Sequence, residues 1–213
     1  MKKGFLVLGL SLTLGVSSFS YAAKEIKINQ LISADENQKI YEAVKNELSS
    51  FLEIVPLNME KEHGFNSRSE FAKAVPATIY RMVGVDPYGK LVPTNNYNVV
   101  VSVNGEYRAV LTVSAENGNY EILSIGGAVL AKELQATEAA NPMNASEERV
   151  MLNVYKYSAT FVSNVPANTA IENADLIPLE SAKMGLRNPE AGRNAKPVYK
   201  LSEAFDALIA NAN

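Results

Sequence analysis

The chain has 213 residues, of which 47% are hydrophobic and 20% are charged, and its formal net charge is −3 at pH 7. This ordinary globular composition argues against an intrinsically disordered chain, and the mild acidity argues against a surface built to bind nucleic acid. The sequence contains no cysteine, which excludes disulfides, thiolate catalysis, thiol-bound zinc and iron–sulfur clusters.

The first 22 residues have the three-part layout of a bacterial secretory signal. Lys2 and Lys3 precede an apolar run from Phe5 to Val16, and small residues stand at Ser20 and Ala22. The run is shorter than the ~20 residues that a membrane-spanning helix needs. We therefore predict cleavage after Ala22 and an exported chain, periplasmic or secreted, with no membrane span.

The predicted mature chain has 191 residues, with 18 basic and 23 acidic side chains and a formal net charge of −5. That length is enough for one sizeable core, or for a core with an appended subdomain. The sequence predicts an α+β core domain over residues 23–165. A loop-rich C-terminal extension, residues 166–213, is expected to pack on this core and to end in a short helix.

A long amphipathic helix is predicted near the start of the mature chain. Ser33 and Glu36 have the S-x-x-E spacing of a capping box, in which each side chain satisfies a free backbone N–H. Apolar residues then recur at steps of three and four up to Val55, and Pro56 ends the pattern. One face of this helix is therefore expected to pack against a sheet.

A second capping box, Ser67 to Glu70, predicts a shorter helix that ends at Pro76. Phe65 is expected to pack back on Phe71 at the entry of this helix. Further helices are predicted over residues 128–139 and from about residue 202.

The centre of the chain has the pattern of an antiparallel β-meander. Three stripes of alternating apolar residues are separated by Asn104-Gly105 and Asn117-Gly118, which are strong hairpin signals. The stripes lie at residues 97–101, 107–113 and 120–122. With a strand at 78–85 and a long strand at 149–163, the sequence predicts an antiparallel sheet of about four or five strands.

The apolar stripes also constrain the register of the two hairpins. A two-residue turn at Asn104-Gly105 would place the first two stripes on opposite faces of the sheet. A three-residue loop is therefore predicted, with Val101 facing Tyr107. A four-residue loop is predicted in the second hairpin, with Val113 facing Tyr120.

The sequence offers little catalytic chemistry. His63 is the only histidine, no nucleophile motif accompanies it, and we interpret it as a solvated loop residue. Gly126-Gly127 lacks the other residues of a phosphate or dinucleotide loop and is interpreted as a tight strand-to-helix turn. Adjacent carboxylates such as Glu147 and Glu148 are interpreted as solvated helix positions. No catalytic residue, metal site or cofactor is therefore predicted, although an acid pair assembled from distant residues stays open.

Two tyrosines could contribute to binding. Tyr155 and Tyr157 would share one face of the predicted strand over residues 149–163, as sugar- or peptide-binding aromatic residues do. Because strands favour tyrosine in any case, we interpret them as half-buried packing residues.

One segment has a strong positive bias. Between residues 183 and 200 there are five basic residues against one acid, Glu190, together with glycines and prolines that are typical of a loop. The basic residues are Lys183, Arg187, Arg193, Lys196 and Lys200. This segment is either a contact for an anionic partner or an ordinary solvated loop.

Three functions fit these observations. The lack of catalytic motifs favours a non-catalytic exported binding or interaction protein of a bacterial cell envelope. Its partner would be a protein or an envelope polymer, with no role for nucleic acid. The alternatives are a carboxylate-dependent hydrolase, which needs an acid pair in a cleft, and an inhibitor or chaperone-like module, which needs an apolar groove or a free sheet edge.

Overall fold

A computed structural model describes residues 34–166, 169–187 and 194–212. Within these residues seven strands form one mixed sheet in the order β4-β3-β2-β1-β5-β6-β7. The strands are β1 (Ala74–Val85), β2 (Leu91–Val103), β3 (Glu106–Glu116), β4 (Asn119–Gly126), β5 (Glu147–Val154), β6 (Ala159–Pro166) and β7 (Ile177–Pro178). The α+β class is confirmed, but the predicted count of four or five strands is wrong. The prediction of a purely antiparallel sheet is also wrong, because β1 and β5 are parallel.

Four α-helices pack around the sheet in the described part of the chain. They are α1 (Ala34–Leu52), α2 (Ala128–Ala140), α3 (Glu180–Leu186) and α4 (Leu201–Asn211). α1 contacts β1 and β4, α2 contacts β3, and α3 contacts β6. None of these helices is long and apolar enough to cross a membrane. Ser33 of the first capping box and the whole predicted export signal lie outside the described residues.

Successive residues of the central strands supply two hydrophobic clusters on opposite faces. Val99 and Val101 of β2 belong to the larger cluster, which also contains the buried side chains of α1. Val100 belongs to the smaller cluster, together with Ala131 and Leu134 of α2. Because side chains alternate along a strand, α1 and α2 cover opposite faces of the sheet.

The second predicted helix is a 3₁₀ helix, Arg68–Lys73. It ends before Pro76, which lies in β1 instead. The predicted capping box is not formed, because Ser67 makes no side-chain cap hydrogen bond and the Glu70 carboxylate accepts the backbone N–H of Asn66, at 2.8 Å, instead of that of Ser67. Phe65 packs edge-on against Phe71 with ring centroids 5.0 Å apart, as predicted.

In the first hairpin the apolar residues of the two strands lie on one face, as expected, but a bulge and not the loop length places them there. A two-residue turn at Asn104-Gly105, with positive φ at both residues, joins β2 to β3, so the predicted three-residue loop is wrong. A β-bulge at Arg108 then shifts the register, and Val101 faces Ala109 instead of Tyr107. The extra residue in β3 brings the apolar residues of both strands to one face, which the loop length was expected to do.

The second hairpin also has a two-residue turn, at Asn117-Gly118, so the predicted four-residue loop is wrong. Tyr120 faces Ala115 instead of Val113, and Val113 faces Ile122. A bulge at the residue after Ile122 keeps the end of β4 on the same face as the core of β3.

The predicted long strand over residues 149–163 is wrong, because the chain reverses in its middle. A 3₁₀ turn, Tyr155–Tyr157, separates β5 from β6, and Ser158 takes the left-handed conformation with φ 50°. Tyr155 is 63% exposed, whereas Tyr157 packs on Phe205 of α4 with ring centroids 6.0 Å apart. The two tyrosines therefore do not share a strand face.

Residues after β6 add to the same sheet and core. β7 pairs with β6, and Leu176 forms an isolated bridge with Tyr199 ahead of α4. Buried side chains of α3 and α4 belong to the larger hydrophobic cluster. Gly127, with φ 67°, begins α2 directly after β4, and its carbonyl accepts the N–H of Ala131. The interpretation of Gly126-Gly127 as a strand-to-helix turn is confirmed.

Candidate functional site

A cleft of about 750 Å³ opens where β1 and β5 separate. The two strands are parallel and pair from Arg81 opposite Val150 to Val85 opposite Val154. Before these residues, β1 pairs with β2 and β5 pairs with β6, so the sheet is open between them. The start of α1, the end of α2 and the loop after α2 form the other walls. The cleft size is within the range of small-molecule sites.

A β-bulge shapes the β1 wall of the cleft. Pro76 faces Val101 and Ile79 faces Val99, so β1 has one extra residue between these pairs. The bulge follows a proline, which has no N–H to donate to the neighbouring strand. It places Thr78 at the cleft, against the end of α2.

The Glu138 carboxylate, at the end of α2, is held by three hydroxyl groups of the sheet. The Tyr80 hydroxyl donates to Oε1 at 2.6 Å, and the Tyr107 hydroxyl donates to Oε2 at 2.7 Å. Thr78 Oγ1 donates to Oε2 at 3.0 Å, and Arg149 Nη2 lies 3.7 Å from the same oxygen. Because its hydrogen-bonding capacity is well used, Glu138 fixes α2 to the sheet at the wall of the cleft.

The tyrosines of this cluster stay protonated over the physiological range. Burial raises the pKa of Tyr80, and the negative charge of Glu138 raises it further. Burial also raises the pKa of Tyr107, with Glu138 acting in the same direction. Both hydroxyls are therefore permanent donors to the carboxylate.

A second hydrogen-bonded cluster fixes the first turn of α1 to the sheet, on the face opposite to α2. The Tyr97 hydroxyl donates to Glu36 Oε1 at 2.5 Å and accepts from Arg81 Nη1 at 2.5 Å. The Arg81 guanidinium also lies 5.0 Å from the centre of the Tyr97 ring. Burial raises the pKa of the Tyr97 hydroxyl, and the hydrogen bond to Glu36 acts in the same direction.

Glu148, at the start of β5, also lines the cleft, but its carboxyl is not held by hydrogen bonds as that of Glu138 is. The pKa of its carboxyl is raised to about 7, mainly by burial; the negative charge of Glu36 acts in the same direction, and the positive charge of Arg81 opposes the shift. Its Oε2 is buried and has no hydrogen-bond partner among the described residues. Asn37 Oδ1, from the first turns of α1, is buried and without a partner in the same part of the structure. Among the described residues, the cleft thus holds two acceptors that lack donors.

The interpretation of Glu147 and Glu148 as helix positions is wrong, because both belong to β5. Side chains of neighbouring strand residues point to opposite faces, which separates the two carboxylates. Glu147 accepts the backbone N–H of Asn144 at 2.8 Å, whereas Glu148 Oε2 has no donor. Sequence reasoning therefore missed the acid of greatest interest, and the alternation around it was the signal that could have indicated it.

The basic residues singled out in the sequence form ion pairs where the structure describes them. Lys183 and Arg187 lie 2.7 and 3.7 Å from the Glu180 carboxylate, and Lys200 lies 2.7 Å from Asp175. Lys196 pairs with Glu203, and Arg193 lies outside the described residues. Acids from outside the segment thus neutralise part of its charge. Its contact with an anionic partner stays a prediction.

His63 lies in a turn, where its backbone N–H bonds to the carbonyls of Met59 and Glu60, and it does not line the cleft. Among residues 34–166, 169–187 and 194–212, no group of three or more histidines or carboxylates is placed to hold a metal ion.

No protein-family model, no curated protein and no solved structure matches the chain. The function of the cleft is therefore inferred from its own geometry and charge.

Proposed function

We propose that the protein is a non-catalytic exported binding protein of a bacterial cell envelope, and that the cleft between β1 and β5 binds its ligand. One observation supports this most strongly: Glu148 Oε2 and Asn37 Oδ1 are buried at the cleft, and no donor from the described residues reaches either oxygen. A buried acceptor without a partner costs about 1–3 kcal/mol. A ligand that donates hydrogen bonds to both oxygens recovers this free energy on binding.

The charge of the cleft favours a cationic group. Glu138, Glu147 and Glu148 line it, and Arg149, which is already close to Glu138, is the single cation among its described lining residues. An ammonium or guanidinium group carries several N–H donors and a positive charge, and therefore fits Glu148 best. Such groups occur on lysine and arginine side chains of partner proteins and on amine-bearing envelope polymers.

Export is part of the same proposal and has its own test. The apolar run from Phe5 to Val16, with Lys2 and Lys3 before it, supports secretion followed by cleavage after Ala22. N-terminal sequencing of the exported protein is expected to begin at Ala23. A mature protein that keeps the apolar run would show that the segment is an anchor.

Isothermal titration calorimetry with Nα-acetyl-lysine amide tests the binding site. The matched probe is Nα-acetyl-norleucine amide, which has a similar side chain without the ammonium group. We expect the lysine compound to bind at least tenfold more tightly, and Glu148→Gln to remove about 1.4 kcal/mol or more of that affinity. Glu121→Gln, which makes the same change at an exposed position of β4, is expected to bind as the wild type does. Equal affinity of Glu148→Gln and wild type would contradict the proposal.

A second function is favoured by the state of Glu148. A carboxyl group with a pKa of about 7 in an open cleft can act as a general acid or base near neutral pH, as in a carboxylate-dependent hydrolase. To separate the two functions, an envelope fraction that the protein retains is incubated with the protein for a long time and then analysed by mass spectrometry. An unchanged ligand supports binding. Cleavage products that disappear with Glu148→Gln would identify a hydrolase.

A further inference from the structure

A second cavity, of about 390 Å³, lies on the α2 face of the sheet and shares no lining residue with the cleft. Its floor is built by side chains from β1 to β6, and its wall is the start of α2 at Gly126-Gly127 and Leu130. α2 packs on β3, and its first residues form one wall of the cavity. The cavity is therefore a feature of the sheet itself, independent of the acidic cleft.

The side chains that line this second cavity are uncharged. Within the described part of the chain, no acidic or basic side chain lines it, in contrast to the cleft. Its polar groups are amides and hydroxyls, and they alternate with methionine and aliphatic side chains. The polar lining residues are Asn98, Thr112, Ser124, Asn153, Thr160 and Tyr155. Such a lining favours a neutral ligand, because a charged ligand would lose its hydration without gaining a counter-charge.

Asn98 is the most informative residue of the cavity. It is only 6% exposed, and it lies in β2 between the fully buried Tyr97 and Val99. Its Nδ2 is 2.9 Å from the Met151 sulfur, a weak acceptor, and this is its one side-chain hydrogen bond within the described residues. Asn98 therefore places an amide group at the cavity, at a position of β2 flanked by two buried apolar side chains.

An exposed aromatic ring stands at the rim. Tyr155 is 63% exposed and lines the cavity. Its ring lies against the backbone of Gly84, which has no side chain. A Cβ atom added at Gly84 would lie 3.2 Å from the ring. The cavity thus combines a buried amide, several hydroxyls and an exposed aromatic face.

We propose that this cavity binds a neutral carbohydrate. Amides and hydroxyls can donate to and accept from sugar hydroxyl groups, while Tyr155 and the partly exposed Met82 contact the apolar C–H faces of a sugar ring. The cavity volume is within the range of small-molecule sites. This inference does not depend on the ligand of the acidic cleft.

NMR titration of the uniformly ¹⁵N-labelled protein tests the proposal with three neutral disaccharides: cellobiose, maltose and chitobiose. At least one is expected to shift the side-chain amide signals of Asn98 and Asn153 in a saturable manner. Asn98→Leu and Thr112→Val should each weaken its affinity about tenfold, which corresponds to the loss of about one hydrogen bond. Ser114→Ala, two residues further along β3 and outside the cavity, is the matched control and should bind as the wild type does. Thr112→Val keeps the test valid if Asn98→Leu fails to fold.

Three outcomes would overturn the proposal. The first is that no disaccharide shifts any signal of the cavity. The second is that binding occurs but is unaffected by both Asn98→Leu and Thr112→Val. The third is that inorganic phosphate shifts the signals of Gly127 and Asn98 while the disaccharides do not, which would identify an anion site at the start of α2.

Discussion

The Tyr80 hydroxyl lies 2.6 Å from Glu138 Oε1, and this hydrogen bond ties the middle of the sheet to the end of α2. Tyr80 is fully buried. We expect Tyr80→Phe to lower the free energy of unfolding by about 1.5–3 kcal/mol, because a hydrogen bond to a charged group is lost. Urea denaturation measures this change. Tyr88→Phe, at a position that is 85% exposed, should have no effect, and equal stabilities of the two variants would contradict the assignment.

The stability of the protein should fall as the pH rises from about 5 to about 7. Burial raises the pKa of Glu148 to about 7, from an ordinary value of 4.5 that applies in the unfolded chain. The folded chain therefore holds this proton more tightly, so its contribution to stability is complete below pH 4.5 and is lost as the pH passes 7. We expect a loss on the order of 2 kcal/mol, a value reduced for the water in the open cleft.

Variants isolate this effect from the titration of other groups. Glu148→Gln has no proton to lose at this position. Between pH 5 and pH 7 its free energy of unfolding should therefore fall by about 2 kcal/mol less than that of the wild type. Glu121→Gln, on the exposed side of β4, should keep the wild-type dependence. If Glu148→Gln and wild type change in parallel between pH 5 and pH 7, the carboxyl of Glu148 has an ordinary pKa.

Gly64 lies against the backbone of Arg108, the bulged residue of β3. Its φ is +91°, and a Cβ atom at this position would lie 1.9 Å from the backbone oxygen of Arg108. Gly64→Ala should therefore cost at least ~3 kcal/mol of unfolding free energy, since a backbone group must move. Gly118→Ala is the matched control, because Gly118 also has positive φ but its Cβ would meet open space. It should cost about 1 kcal/mol, and equal costs in thermal or urea denaturation would show that Arg108 does not restrict Gly64.

Local patterns in the sequence predicted the class of the fold and the positions of its turns. The alternation around Val99 and Val101 indicated buried strand positions, and both side chains are fully buried. Asn104-Gly105 and Asn117-Gly118 marked two hairpins correctly, because asparagine and glycine tolerate the positive φ of these turns. The alternation of strand residues and the Asn-Gly turns depend only on residues that are close in the chain, so they can be recognised from one sequence.

Features that depend on distant residues could not be predicted. The bulge at Arg108 lies against Gly64, which is distant in the sequence, and the reversal at Ser158 has neither glycine nor proline to mark it. The parallel pairing of β1 with β5 joins segments about seventy residues apart, and this pairing creates the cleft around Glu148. The candidate site therefore arises from the topology of the sheet, and no motif in the sequence indicates it.

The central claim is that Glu148 is the buried acceptor that a cationic ligand satisfies. Carbon-13 NMR titration of the Glu148 side-chain carboxyl, with and without saturating Nα-acetyl-lysine amide, tests this claim most directly. We predict a pKa of about 7 in the free protein and a clearly lower pKa in the complex, because a nearby positive charge stabilises the carboxylate. A pKa near 4.5 in the free protein, or a pKa that the lysine compound leaves unchanged, would contradict the claim.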